Sequence, residues 1–297
     1  MKTDEILNLF GIHDIKYISE IKTGHINKTY LVECESGKYI LQSLNRDIFK
    51  NPEIIMNNIS LIEKAFELDV LKRTENIDFP FFCIGDNVFI PRYLTCNGKN
   101  YTEQDGEIWR MCNYIDSSED YQEKFFDYGS AIGTFLRIVN TGRMEFETQM
   151  NLHNFNFNLP KRNIHGDTKL DNVIFGNDRI TVIDFDTAMR GYICTDYGDM
   201  IRSTTNKSFD LQTVYQITEG FADSLDGLLT KDEIDSLYSG IILVTSELAE
   251  RYRAGNRNFP NKAPEQCLER QKQLILQLDE FYSHKEEIIS IIKKCFG

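Results

Sequence analysis

Positive charge is scarce in this chain. Its 33 basic residues stand against 46 acidic ones, for a net charge of −13. That balance disfavours nucleic acid and anionic membranes as partners, because both repel an acidic surface, but it leaves room for a local basic pocket that takes a nucleotide. Long apolar runs are missing too, and none approaches the ~20 residues that a bilayer span needs. The opening Met1-Lys2-Thr3-Asp4-Glu5 lacks the charged-then-apolar layout of a signal peptide. The seven cysteines are scattered with no Cys-x-x-Cys pair, and the five histidines show no metal-ligand spacing. This usage fits reduced thiols in a cytoplasm. There is no internal repeat and no low-complexity linker. What remains is 297 residues, 41% of them apolar, enough for one large domain or two lobes around a cleft.

One stretch is dense in chemistry. Ile164-His165-Gly166-Asp167-Thr168-Lys169-Leu170-Asp171-Asn172-Val173-Ile174-Phe175 runs into Gly176-Asn177-Asp178-Arg179 and then Ile180-Thr181-Val182-Ile183-Asp184-Phe185-Asp186. Two short β-branched runs flank a turn of Gly, Asn and Asp, which predicts a β-hairpin. Pairing Phe175 with Ile180 brings Asn172 and Asp184 almost opposite each other at the open end. Asp167 then sits in the loop that enters the hairpin. This set suits phosphoryl transfer. The Asn172 amide oxygen and the Asp184 carboxylate are hard ligands for Mg²⁺. Asp167 can hold an acceptor hydroxyl and take its proton. Lys169 can offset the charge of the migrating group. An Asp, four residues, an Asn and a further Asp beyond match the spacing of the protein-kinase catalytic loop. The bland alternative is a surface hairpin whose Asp and Asn side chains cap turns.

His165-Gly166-Asp167, in place of His-Arg-Asp, resembles the aminoglycoside phosphotransferase and choline kinase group of small-molecule kinases. Three segments are similar to the N-acetylhexosamine 1-kinase branch of that group. They are Gly24-His25-Ile26-Asn27-Lys28-Thr29-Tyr30, Tyr39-Ile40-Leu41-Gln42-Ser43-Leu44-Asn45, and His165 to Asn172 with Ile183-Asp184-Phe185-Asp186-Thr187. The resemblance runs through most of the chain. It implies a two-lobed α+β fold of the protein-kinase type. A small antiparallel-sheet lobe would cover residues 1–115 and a mainly helical lobe residues 116–297. It also implies ATP as co-substrate, Mg²⁺ as cofactor and a small-molecule hydroxyl as acceptor, with the anomeric hydroxyl of an N-acetylhexosamine first. Choline, homoserine or an aminoglycoside are the other acceptors, and the acidic charge suits a cationic one. The branch carries a longer helical insertion where residues 142–163 are short and polar.

Taken in order, residues 5–10 form a short helix ending at Gly11. Strands follow over Tyr17–Ile21, Thr29–Cys34 and Lys38–Leu44. The first turn, Lys22-Thr23-Gly24-His25-Ile26-Asn27, would cover the nucleotide phosphates although it is poor in glycine. Gly24 and Asn27 are its nucleotide contacts, and His25 faces the acceptor. The third strand should carry a lysine for the α- and β-phosphates. Gln42 stands there, as it does in the hexosamine-kinase branch. Gln42 can bond a phosphate but not neutralise it, so Arg46 or Lys50 is the candidate cation. The lost lysine also leaves a nucleotide-binding pseudoenzyme open. Pro52 starts an amphipathic helix to about Lys72. Glu63 or Glu67 fits the role of the helix glutamate only if a cation partner exists. Phe79–Ile84 and Val88–Tyr93 read as a hairpin. Glu107–Ile115 is the last small-lobe strand, with Met111, Asn113 and Tyr114 offering backbone groups to the base. Trp109 packs rather than stacks on it.

In the large lobe Gln122–Thr141 is a buried helix, with Gly129 and Gly133 allowing close packing. Asp196 and Asp199 brace the catalytic loop, as the Asp-x-Gly-Asp segment does in the resembled family. Asp186 touches the metal or the acceptor. Helices follow at about 210–224, 231–254 and 264–295. Arg202 and the stretch Glu247–Arg253, with Arg251, supply acceptor contacts. The oligomeric state is not legible.

Overall fold

The computed structural model describes residues 2–22, 26–73, 88–117, 124–150, 157–177, 179–206, 208–255, 259 and 262–297. Gly24 and His25 lie outside these, as does the 79–84 half of the expected hairpin.

The small lobe is a five-stranded antiparallel sheet in the order β1-β2-β3-β6-β5. Its strands are β1 (Ile15–Ile21), β2 (Lys28–Cys34), β3 (Gly37–Ser43), β5 (Thr102–Gln104) and β6 (Glu107–Asn113). Side chains alternate between its faces. On the outer face Val32, Leu41, Trp109 and Met111 close a small core with Ile6 and Leu7 of α1 (Lys2–Leu9) and with Phe10. Trp109 therefore packs away from the cleft. On the inner face Ile40, Ile108 and Cys112 join the main core. Gln42 and Arg110 sit between them, paired in register.

Helix α2 (Pro52–Arg73) buries Ile55, Ile59, Ile62 and Phe66 at the expected three-to-four spacing. It packs on α3 (Phe125–Thr141). The short strand β4 (Val88–Phe89) ends earlier than the expected Val88–Tyr93 and pairs parallel with Ile180 and Thr181.

That hairpin is β8 (Val173–Phe175) and β9 (Ile180–Val182), with Phe175 opposite Ile180 as the spacing required. A second ribbon pairs β7 (Arg162–Ile164) with β10 (Met189–Gly191). The two ribbons hold the loops 165–172 and 183–188 between them. Beneath lie α4 (Ile193–Thr204), α5 (Leu211–Leu225), α6 (Lys231–Arg253), α7 (Pro264–Ser283) and α8 (Lys285–Phe296).

Two helix crossings are made at backbone distance. A Cβ on Gly129 of α3 would stand 2.1 Å from the Ile217 carbonyl oxygen of α5. One on Gly240 of α6 would stand 1.9 Å from the Cys194 carbonyl oxygen of α4. The last expected helix is two. His284 leaves the helical region (φ −104°, ψ 23°) and stacks on Phe209 at 4.9 Å, so the chain turns there. Helix α4 had no reading as a helix in the sequence. Among the described residues no helix is long and apolar enough to cross a membrane.

Candidate active site

The loop from His165 to Asn172 is built around buried polar anchors. His165 is fully buried between the rings of Phe135 and Phe185. Burial keeps its imidazole below the usual range, hence neutral. Its Nε2 donates to the Ile183 carbonyl at 2.9 Å, and its Nδ1 accepts a long 3.4 Å bond from the Asp167 N–H. Gly166 holds φ +83°, a conformation that an arginine there would adopt only with strain. Asp196 of α4 accepts the N–H groups of His165 and Gly166 at 2.8 and 2.9 Å. Burial pushes its carboxyl up to about 7 against the pull of those two donors. Thr168 closes the anchor by donating to the Asp196 carbonyl at 2.6 Å. Tyr128 donates to the Thr168 carbonyl, and Ser203 accepts the Leu170 N–H at 3.1 Å.

So held, the loop brings Asp167, Lys169 and Asn172 together. Asp167 Oδ2 accepts the Lys169 ammonium at 2.6 Å and the Asn172 amide at 3.0 Å. The Asn172 nitrogen also reaches the Asp167 carbonyl at 2.7 Å. This leaves the Asn172 oxygen as the atom free to take a cation. Burial alone would lower the Lys169 ammonium, but the carboxylates of Asp167, Asp184 and Asp199 hold it above its usual value.

Asp184 follows the hairpin in the left-handed region (φ +66°, ψ +66°), an uncommon state for a residue with a side chain. Burial first, then the facing carboxylates of Asp186 and Asp167, push its carboxyl up to about 7. Excess acid converging on a buried point fits a divalent cation, whose charge would relieve it. The Asp184 carboxylate and the Asn172 oxygen are hard donors of the kind such a cation takes. Among the described residues no cluster of three or more His, Cys, Asp or Glu forms a metal cage. A site with two protein ligands, completed by phosphate oxygens and water, has no such cage.

Asp186 does not face the acceptor side. It is buried in the seam between the lobes, where Oδ2 accepts the Asn27 amide at 2.5 Å and Oδ1 lies 2.5 Å from Arg110 Nη1. Asn27 is likewise spent on structure, since its oxygen accepts the Asn45 N–H at 3.0 Å. Gln42 accepts from Arg110 Nε at 3.0 Å and donates to Thr29 Oγ1 at 3.2 Å. Arg46 turns to Glu53 and Glu103 at the surface, and Lys50 is exposed. The Met111 side chain points into the outer core, and its carbonyl accepts the Leu94 N–H at 2.8 Å. The Tyr114 N–H goes to the Lys38 carbonyl at 2.9 Å. Asn113 and Tyr114 line a cavity of about 380 Å³ beside the hairpin turn.

A larger cavity, about 840 Å³, runs from Ile26 and Phe49 past Asp167 and Lys169 to Arg202, Glu247, Arg251 and Arg270. Arg202 is buried in a two-pronged bond to Asp199 Oδ1 at 2.9 and 2.7 Å. Glu63 of α2 accepts the Tyr93 N–H at 3.0 Å, so it is not the helix glutamate of a kinase. The sequence reading missed Arg110. Its signal was a lone arginine on the inward side of Ile108-Trp109-Arg110-Met111-Cys112, opposite Gln42.

The two lobes, the hairpin and the anchored loop define a kinase-like fold. The phosphotransferase enzyme family (APH) matches residues 144–225, the segment that holds the loop and hairpin. The whole chain is similar to a microcompartment-associated aminopropanol kinase, at 14% identity and a TM-score of 0.65 over 97% of this chain and 98% of that one. It is similar to a spectinomycin phosphotransferase in complex with ADP and spectinomycin, at 14% identity, TM-score 0.60, over 98% and 96%. It is also similar to an amicoumacin kinase in complex with AMP-PNP, Ca²⁺ and Ami, at 11% identity, TM-score 0.60, over 93% and 88%.

Proposed function

We propose that this protein transfers the γ-phosphoryl group of ATP to a hydroxyl of a small neutral sugar in the cytoplasm, an N-acetylhexosamine at its anomeric oxygen. The observation that carries the kinase reading is the convergence of Lys169 and Asn172 on the Asp167 carboxylate, which lines the larger cavity with Lys169 and faces the buried carboxyl of Asp184. Asp167 orients the acceptor hydroxyl and takes its proton as the oxygen attacks phosphorus and the bond to ADP breaks. Lys169, held beside Asp167, sits where it neutralises charge on the group in flight. Asn172 and Asp184 would hold Mg²⁺, which supplies charge neutralisation across the phosphates. Bound nucleotide in two similar structures, one of them with a divalent cation, supports this reading.

The cavity wall supports a neutral acceptor. Its carboxylates Asp167, Asp171, Asp199 and Glu247 are matched by the cations Lys169, Arg202, Arg251 and Arg270. A site for a polyamine would show a surplus of acid. Polar side chains of both signs suit the hydroxyl and amide groups of a sugar.

The test is ADP release with ATP and Mg²⁺ against N-acetylhexosamines, other hexoses, choline, homoserine and kanamycin. Turnover with one N-acetylhexosamine, phosphorylated on the anomeric oxygen, is expected. Turnover with an amine-bearing acceptor alone would keep the kinase and discard the sugar. Asp167→Asn should keep nucleotide affinity and cut turnover by roughly 10²–10⁴; unchanged turnover would remove Asp167 from the mechanism.

A further inference from the structure

A kinase-type cleft needs a cation on its small lobe against the nucleotide phosphates, and an acid to hold that cation in place. The usual pair is a lysine on the third strand and a glutamate on the following helix. Neither half is present here. The third strand carries Gln42, Glu63 is spent on the Tyr93 N–H, and Glu67 is exposed.

The neighbouring strand supplies what is missing. Arg110 lies directly across from Gln42 on the cleft face of the sheet and is 2% exposed. Its Nε donates to Gln42 Oε1, its flat face lies 5.7 Å from the centre of the Tyr93 ring, and its Nη1 meets Asp186 Oδ1 at 2.5 Å. Asp186 is itself fixed by Asn27 through the other oxygen. Nη1 and Oδ1 are close enough to pair as ions but lack hydrogen-bond alignment, so both buried atoms keep bonding capacity for a third group. A guanidinium has five donors and no acceptor, and burying it against one carboxylate is costly unless something else uses those donors. Gln42 now has a reason as well. A lysine at that position would set a second positive charge against Arg110, whereas the glutamine oxygen accepts from it and aims it.

From this geometry we infer that Arg110 is the small-lobe cation for the nucleotide phosphates, and that Asp186 of the large lobe holds it there. The Arg110–Asp186 pair does the work of the lysine–glutamate pair, moved one strand over on one side and across the cleft on the other. The inference rests on the kinase reading above. It explains why Asp186, two residues beyond Asp184, faces the small lobe instead of the acceptor.

The experiment is calorimetric titration of adenosine, AMP, ADP and ATP, with chelator and with Mg²⁺. The proteins are the wild type, Arg110→Lys, Arg110→Gln, and the exchange Gln42→Lys with Arg110→Gln. Arg110→Gln should weaken ATP and ADP by roughly 10- to 100-fold while adenosine binds as before. Arg110→Lys should fall between, and the exchange should recover most of the loss. A loss equal for adenosine and ATP, or no loss for ATP, would make Arg110 a packing residue and overturn the inference. If Arg110→Gln does not fold, Arg110→Lys carries the test by the same phosphate dependence. A wild type that binds no adenine nucleotide overturns the kinase reading and the inference together. Wild-type binding with unaltered variants overturns the inference alone.

Discussion

The two halves of the cleft are assembled in different ways. In the large-lobe half Asp167, Lys169, Asn172 and Asp184 come from one run of chain about a single hairpin register. The small-lobe half gathers Asn27, Gln42 and Arg110 from three strands or their ends, with Gln42 and Arg110 68 positions apart in the chain. The first kind of site has its chemical groups close in the chain and needs distant residues, Asp196 first, only as anchors. The second exists only when the sheet has formed and the lobes have met. Loss of an anchor should therefore be sharp and local in the large-lobe half, and should depend on lobe contact in the small-lobe half.

The most damaging break is Asp196→Ala. It leaves the His165 and Gly166 N–H groups buried without an acceptor. A loss of about 3 kcal/mol is expected by chemical denaturation, with turnover falling further than nucleotide affinity. Equal loss of both would mean that the anchor serves the whole cleft. Next is Gly240→Ala, which sets a methyl against the Cys194 carbonyl of α4. Something must shift, at about 2 kcal/mol. Because α4 carries Asp196, Asp199 and Arg202, acceptor KM should change while ATP affinity holds. A thermal scan with no shift would show that the crossing is looser than it stands.

A pH series sharpens the comparison by isolating the carboxyl cluster. Asp184 is pushed up to about 7 when folded, above its ordinary value of 3.8. Between those values the native state keeps a proton that the unfolded chain has lost. Stability of the metal-free protein should therefore fall as pH rises across that window, by on the order of 1 kcal/mol per pH unit at most. Asp196, also pushed up to about 7, adds a slope of the same sign, so Asp184→Asn should remove about half of it, and an unchanged slope would exclude Asp184 as a source. The smallest effect is expected from Met111→Leu on the outer face of the sheet. Nucleotide affinity should stay within about twofold, with less than about 1.5 kcal/mol of stability lost. A large loss of affinity would mean that the outer core governs the shape of the nucleotide side of the sheet.

Much of the large-lobe half was legible. The Phe175–Ile180 pairing followed from a four-residue turn between two β-branched runs. In the small lobe β1, β2, β3 and β6 end within two residues of their expected places, whereas β5 had no reading as a strand and β4 stops at Phe89 rather than Tyr93. Other features were not. Val88 and Phe89 pair with a strand far along the chain, a contact that no local pattern announces. The break at His284 depends on the ring of Phe209, which no periodicity in α7 announces. Arg46 looked like the spare cation because it is close in sequence to Gln42. Arg110 is the one close in space, because antiparallel pairing puts it across the ladder.

By itself the sequence determined the acidic surface, the apolar periodicities and the hairpin with its Asp, Asn and Asp. Each of these depends on residues within one or two turns of one another, where local geometry leaves few choices. Only the tertiary structure decided that Asp186 faces Arg110, that Gln42 aims it, and that Met111 turns away from the cleft. Those outcomes depend on which strands pair and which faces meet when the lobes close, and burial of a charge is settled only by the partner that arrives.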